Sequence, residues 1–137
     1  MLLALVVPDS IRSDLLTHAE RESPREAVGI LGGRGSTAMR VLPLLNRAVD
    51  QHAFFADPHQ QYLAERSLER EGLEVVALYH SHPGGGAAPS IADLEFSVGW
   101  PCAQLIVVPA GGPNASARIH AYRWLDGELH EVSVLAG

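Results

Sequence analysis

His80 and His82 stand two residues apart at the end of an apolar run over residues 73–79. If that run is a strand, its side chains alternate between faces, so both imidazoles project to the same side. Their backbone positions would lie roughly 6–7 Å apart, and two rings leaning inward could share one cation. Gly84, Gly85 and Gly86 then free the chain to turn back, and Pro89-Ser90 opens a short helix expected over residues 90–98. Asp93 falls in its first turn, where its carboxylate could face the two rings. Two imidazoles and a carboxylate suit Zn²⁺. Three protein ligands also leave a fourth position open to water, the mark of catalytic rather than structural zinc. Plainer readings compete at each position. A His-x-His pair is often solvated or satisfied within a core, and Ser90 with an acid three residues on resembles a helix cap. Two same-face histidines, a glycine loop and a carboxylate on a new helix together favour the metal.

The elements that must hold these residues follow from periodicity. Residues 2–7 read as a strand, and residues 9–20 as a helix with Asp9-Ser10 as its cap and Ile11, Leu15, Leu16 and Ala19 at helical spacing. Pro24 precedes a strand over 26–31 that Gly32-Gly33 should close, with the glycines up to Gly35 taken as turn. A third, partly alternating strand covers 38–48. Asp57-Pro58 opens a second helix reaching about Gly72, with proline in its first turn. The runs 73–79 and 103–108 are continuously apolar, as buried central strands are. Residues 117–124 and 128–134 form a hairpin across Asp126-Gly127, a strong turn dipeptide. Strands interleaved with helices in 137 residues predict one α/β domain over 1–137, a curved mixed β-sheet flanked by helices.

Composition narrows the function. Hydrophobic residues make up 47% and charged residues 19%, as in a folded domain rather than a disordered chain. A net charge of −6 without a basic run argues against nucleic acid. The single cysteine, Cys102, excludes an internal disulfide framework and a four-thiolate zinc site, and points to a reducing, cytoplasmic setting. Residues 1–7 are apolar but lack a basic flank and are too short to cross a bilayer, so no membrane partner is expected. Gly32-Gly33-Arg34-Gly35 is no phosphate loop, because no Gly-Lys-Ser/Thr follows. His18, His52, His59, His120 and His130 lack ligand spacing and read as surface or packing residues.

The segment His80-Ser81-His82-Pro83, six residues, Ser90, two residues and Asp93 resembles the signature of the JAMM, or MPN+, zinc metalloproteases. Their distant glutamate precedes an apolar-Gly-apolar-apolar run, as in Glu26-Ala27-Val28-Gly29-Ile30-Leu31. The likeness extends to about Trp124 and, for want of room between Leu94 and Cys102 for a large insertion, is to the small prokaryotic members. It implies a cytidine-deaminase-like fold, with one zinc held by His80, His82 and Asp93. It also implies Glu26 as the general base and Ser90 as a donor to the oxyanion. The substrates implied are ubiquitin-like or sulfur-carrier proteins, cut after a C-terminal Gly-Gly, in some cases releasing cysteine. Pairing with a second copy is compatible with this reading. Two other classes were weighed: a non-catalytic MPN-type binding module, and a nucleobase deaminase. The deaminase pattern His-x-Glu…Pro-Cys-x-x-Cys is missing here.

Ser90→Ala separates its two readings. As an oxyanion donor, Ser90 should take about 10²–10³ of turnover with it. As a helix cap, its loss should cost roughly 1 kcal/mol of stability and leave turnover intact. Thermal midpoint and turnover, measured side by side, decide.

Overall fold

The computed structural model describes residues 4–85, 102–110 and 116–137. Seven strands and two helices follow in the order β1 (Ala4–Val6), α1 (Asp9–Glu22), β2 (Val28–Arg34), β3 (Thr37–Leu44), α2 (Pro58–Arg70), β4 (Glu74–Ser81), β5 (Ala103–Val108), β6 (Arg118–Leu125) and β7 (Glu128–Leu135). The strands are arranged β1-β3-β2-β4-β5-β6-β7. β4 pairs with β5 in parallel and the β2–β3, β2–β4, β5–β6 and β6–β7 pairs are antiparallel. The short β1 pairs in parallel with both β3 and β7, so the curved mixed sheet expected from sequence curls until it closes. Among the described residues no helix is long and apolar enough to cross a membrane.

Period-two alternation divides the interior into two apolar clusters. Ile11, Leu15 and Ala19 of α1, spaced four residues apart, join Leu31, Tyr79, Leu105 and Val107 in one. Leu68 of α2 joins Val28, Ile30, Leu44 and Leu78 in the other. Adjacent residues of β4, Leu78 and Tyr79, therefore serve different clusters, and β4 and β5 are buried on both faces.

Several local expectations were correct for the stated reasons. Asp57 caps α2, accepting from the Gln60 amide at 2.9 Å, and Pro58 is its first residue. Asp126 and Gly127 both have positive φ (52° and 80°), which a two-residue hairpin of matched twist requires. Others need correction. Asp9 lies inside the first turn of α1, after Pro8, and no side chain caps that end. Gly32 and Gly33 do not form a turn. β2 continues to Arg34 with a register shift at the glycines, and the turn is at Gly35-Ser36. A Cβ at Gly32 would strike the Leu68 side chain and one at Gly33 the Thr37 carbonyl, so close packing of α2 and β3 explains both. β3 stops at Leu44 rather than running to residue 48, because the Asn46 side chain takes over the backbone partners beyond it.

His18 of α1 is one of the packing histidines, at 3% exposure. Its Nε2 faces the Glu22 carboxylate at 3.8 Å, which places the ring proton there and leaves Nδ1 to accept from the Tyr79 hydroxyl at 2.8 Å. Burial, reinforced by the Arg21 charge and opposed by Glu22, lowers the affinity of His18 for a second proton below the ordinary histidine value. The folded protein then binds fewer protons at this site than the unfolded chain, so stability is full above the unfolded pKa and declines as pH falls below about 6.5. His18→Gln should therefore flatten the fall in thermal midpoint between about pH 7 and about pH 5 relative to wild type. Parallel curves would remove His18 from the acid sensitivity.

Candidate metal centre

Glu26, His80 and His82 are 54 and 2 residues apart in sequence, and backbone pairing brings them together. β4 is an interior strand between β2 and β5. Its parallel pairing with β5 continues beyond the strand end, where the His82 amide donates to the Val107 carbonyl at 2.9 Å. The chain therefore stays extended through His82, and the two histidines share a face. Ser81 points to the other side and is fully buried. Its amide donates to the Ala27 carbonyl at 2.9 Å and its Oγ accepts from the Ala27 amide at 2.7 Å. The residue between the two histidines thus clamps the residue next to Glu26. A second clamp comes from Asn46, whose Nδ2 donates to the Glu26 carbonyl at 2.9 Å and to the Ala53 carbonyl at 3.0 Å. Its Oδ1 accepts from the amides of Ala48 and Phe55, at 2.9 and 3.0 Å.

The result is a tight donor cluster. The Nε2 atoms of His80 and His82 are 3.1 Å apart with their rings tilted by 57°. Two nitrogens bound to one zinc at about 2.0–2.1 Å in tetrahedral geometry would be about 3.3 Å apart, so the pair is spaced to share an ion. A carboxylate oxygen of Glu26 and a ring nitrogen of each histidine all lie within 4.8 Å of one another. Neutral imidazoles with an adjacent carboxylate form a donor set that suits zinc. Glu26 is 8% exposed, so the alternative of a carboxylate freely solvated at a strand edge does not hold. His80 is 2% exposed, and its ring is stacked on Phe54 with centroids 4.4 Å apart and planes at 18°. Ser90 and Asp93, and the helix expected around them, lie outside the described residues.

The cluster opens into a cleft of about 340 Å³ lined by Ser23, Glu26, His52, His82 and Gly85. Its floor carries the donor cluster, and its far wall is the connection between β3 and α2 that Asn46 organises. Cys102 is not a competing nucleophile. Burial pushes its thiol above the ordinary range, which favours the unreactive protonated form. Asn46, Phe54 and the clamping role of Ser81 went unseen in the sequence, because each acts through backbone groups or ring stacking that leave no spacing pattern.

A family model described as prokaryotic homologs of the JAB domain matches residues 8–124. A probable TtuB-protein conjugate cleaving protease of Thermus thermophilus is 43% identical over 94 residues, 68% of this chain and 63% of that protein. The present chain therefore aligns with less than two thirds of that relative's length. The desampylase of Pyrococcus furiosus is 30% identical over 94% of this chain and 86% of its own. The CysO-cysteine peptidase of Mycobacterium tuberculosis is 30% identical over 95% and 89%. A JAB1/MPN domain protein of Archaeoglobus fulgidus shares the fold, with a TM-score of 0.61, 21% identity and coverage of 96% and 98%.

The Ser81 clamp makes a direct prediction. Ser81→Ala leaves a buried Ala27 amide without its acceptor and should lower stability by about 1–3 kcal/mol. Both histidines remain, so metal content, read by atomic absorption, should persist while the thermal midpoint falls. An unchanged midpoint would show that the clamp contributes nothing.

Proposed function

The chain belongs to the prokaryotic JAB-domain family, and from that premise we propose that it is a zinc-dependent peptidase acting on ubiquitin-like or sulfur-carrier proteins. The observation that carries this reading is the meeting of Glu26, His80 and His82 on the floor of an open cleft. His80 and His82 would hold the zinc together with Asp93, and the domain would extend over residues 1–137. When bound, the zinc would supply Lewis acidity, bringing the pKa of water to about 7 and polarising the scissile carbonyl. Glu26 acts as the general base: it takes a proton from the attacking water and delivers it to the departing amine. Its burial keeps bulk water from competing for that proton, and the clamps on Ala27 and on its own carbonyl fix where the proton is taken. Ser90 would donate to the oxyanion.

The substrate class is supported by the named activities of the relatives, which cleave TtuB conjugates and CysO-cysteine. A carrier tail ending in Gly-Gly, with no side chains to clash, fits a narrow floor between Glu26 and the segment at Gly84-Gly85. With one cysteine in the chain, a reducing cytoplasm is the setting that goes with this reading.

The test uses the full chain and a carrier protein bearing an extra cysteine or a linked lysine beyond its terminal glycine. Mass spectrometry should show release after that glycine, and loss of release with chelator. Glu26→Gln should keep zinc and fold while lowering turnover by about 10²–10⁴. Release that survives both chelator and Glu26→Gln would overturn the assignment.

A further inference from the structure

Gln104 is a second polar residue buried against the metal centre, and the chemistry of the cleft does not use it. It sits in β5 with 6% exposure, among aliphatic neighbours, where an amide side chain is uncommon. The parallel register sets Gln104 beside Leu78 and Ile106 beside His80, so Gln104 shares the face that carries His80. Its Nε2 is buried without a hydrogen-bond partner among the described residues. A buried donor left unmade is destabilising, and an apolar side chain of that size would avoid the cost. Its retention at this place therefore calls for a polar occupant.

The structure offers one. Gln104, His80, Phe54, Gln61, Leu78 and Gly29 surround a small void of about 10 Å³. That is the room one water centre needs, and its lining includes three polar side chains. It lies on the inner side of His80, away from the cleft that Glu26 and His82 line. A histidine that binds metal through one nitrogen commonly has its ring orientation and tautomer set by a hydrogen-bonding group on the other side. Phe54 already fixes the plane of the His80 ring by stacking, but stacking leaves rotation within that plane unspecified.

We infer that Gln104 is a positioning residue for the metal centre: its amide holds one buried water in the void shared with His80, and that water orients the ring for metal binding. The inference rests on the metal reading of His80 and His82. Gln104 touches neither metal nor substrate. Its effect is on how tightly the centre holds an ion, and only through that on turnover.

The experiment compares full-length wild type with Gln104→Met and Gln104→Leu. Zinc affinity is measured by competition with a chelator of known affinity, and thermal midpoints are measured on the metal-free proteins. The expected result is zinc binding weakened about 10–100-fold in both variants, with metal-free midpoints equal to or above wild type. That combination is opposite to what a packing role would give. Unchanged zinc affinity overturns the inference, and so does weakened affinity that appears only together with lowered metal-free midpoints in both variants. Wild type that binds no zinc, or binds it equally after His80→Ala, overturns the metal reading itself. Zinc held equally by wild type and both Gln104 variants overturns the role of Gln104 alone.

Discussion

The parallel pairing of β4 with β5 is the constraint on which the site depends. A strand in the middle of a sheet cannot twist its end freely, and here the ladder continues one residue past β4 through the His82 amide. That bond keeps His80 and His82 in the same pleat, so a two-residue spacing becomes a shared face. The odd residue between them becomes useful for the same reason. Ser81 must point the opposite way, and there it clamps Ala27 with one amide bond and one hydroxyl bond. The ligand pair and the anchoring of Glu26 are thus two consequences of a single alternation.

The back of the site is built to resist movement. Tyr79 faces away from the cleft, and its ring lies where a Cβ at Gly29 would be, so β2 and β4 approach closely without side chains between them. The Tyr79 hydroxyl is held in turn by His18 of α1. α1 therefore braces the face of β4 opposite the histidines, and α2, through Leu68 against Gly32, braces β2. A metal centre whose donors must stand within a few tenths of an ångström of their working positions needs such a rigid background.

Most of the fold was legible in the sequence, and the parts that were not have specific causes. The apolar runs of β4 and β5, the cap and proline of α2 and the Asp126-Gly127 turn carry local chemistry that determines local structure. The histidine pair was legible because two residues on one strand have a fixed relation. Gly32-Gly33 misled because glycine is required both where a chain turns and where another element comes close, and only the tertiary packing of Leu68 and Thr37 distinguishes the two. Asn46 was invisible for a related reason. An asparagine between a strand and a helix looks like any loop residue until its four backbone partners are known. Glu26 could be singled out only by resemblance, since nothing in its neighbourhood in the chain announces a partner 54 residues away.

The placement of Glu26 also bears on why stability and metal binding should be linked. A carboxylate at 8% exposure is costly to keep ionised unless positive charge or hydrogen bonds surround it, and the nearby imidazoles are most useful as ligands when neutral. A divalent cation between the two Nε2 atoms would supply that charge without protonating either ring. Such an ion would bind a site that the unfolded chain lacks, so its binding free energy would add to the stability of the fold. The clamps through Ser81 and Asn46 take up part of this cost beforehand by ordering the backbone around Glu26. What the ion would then supply is mainly charge, and the geometry that receives it is already in place in the strands.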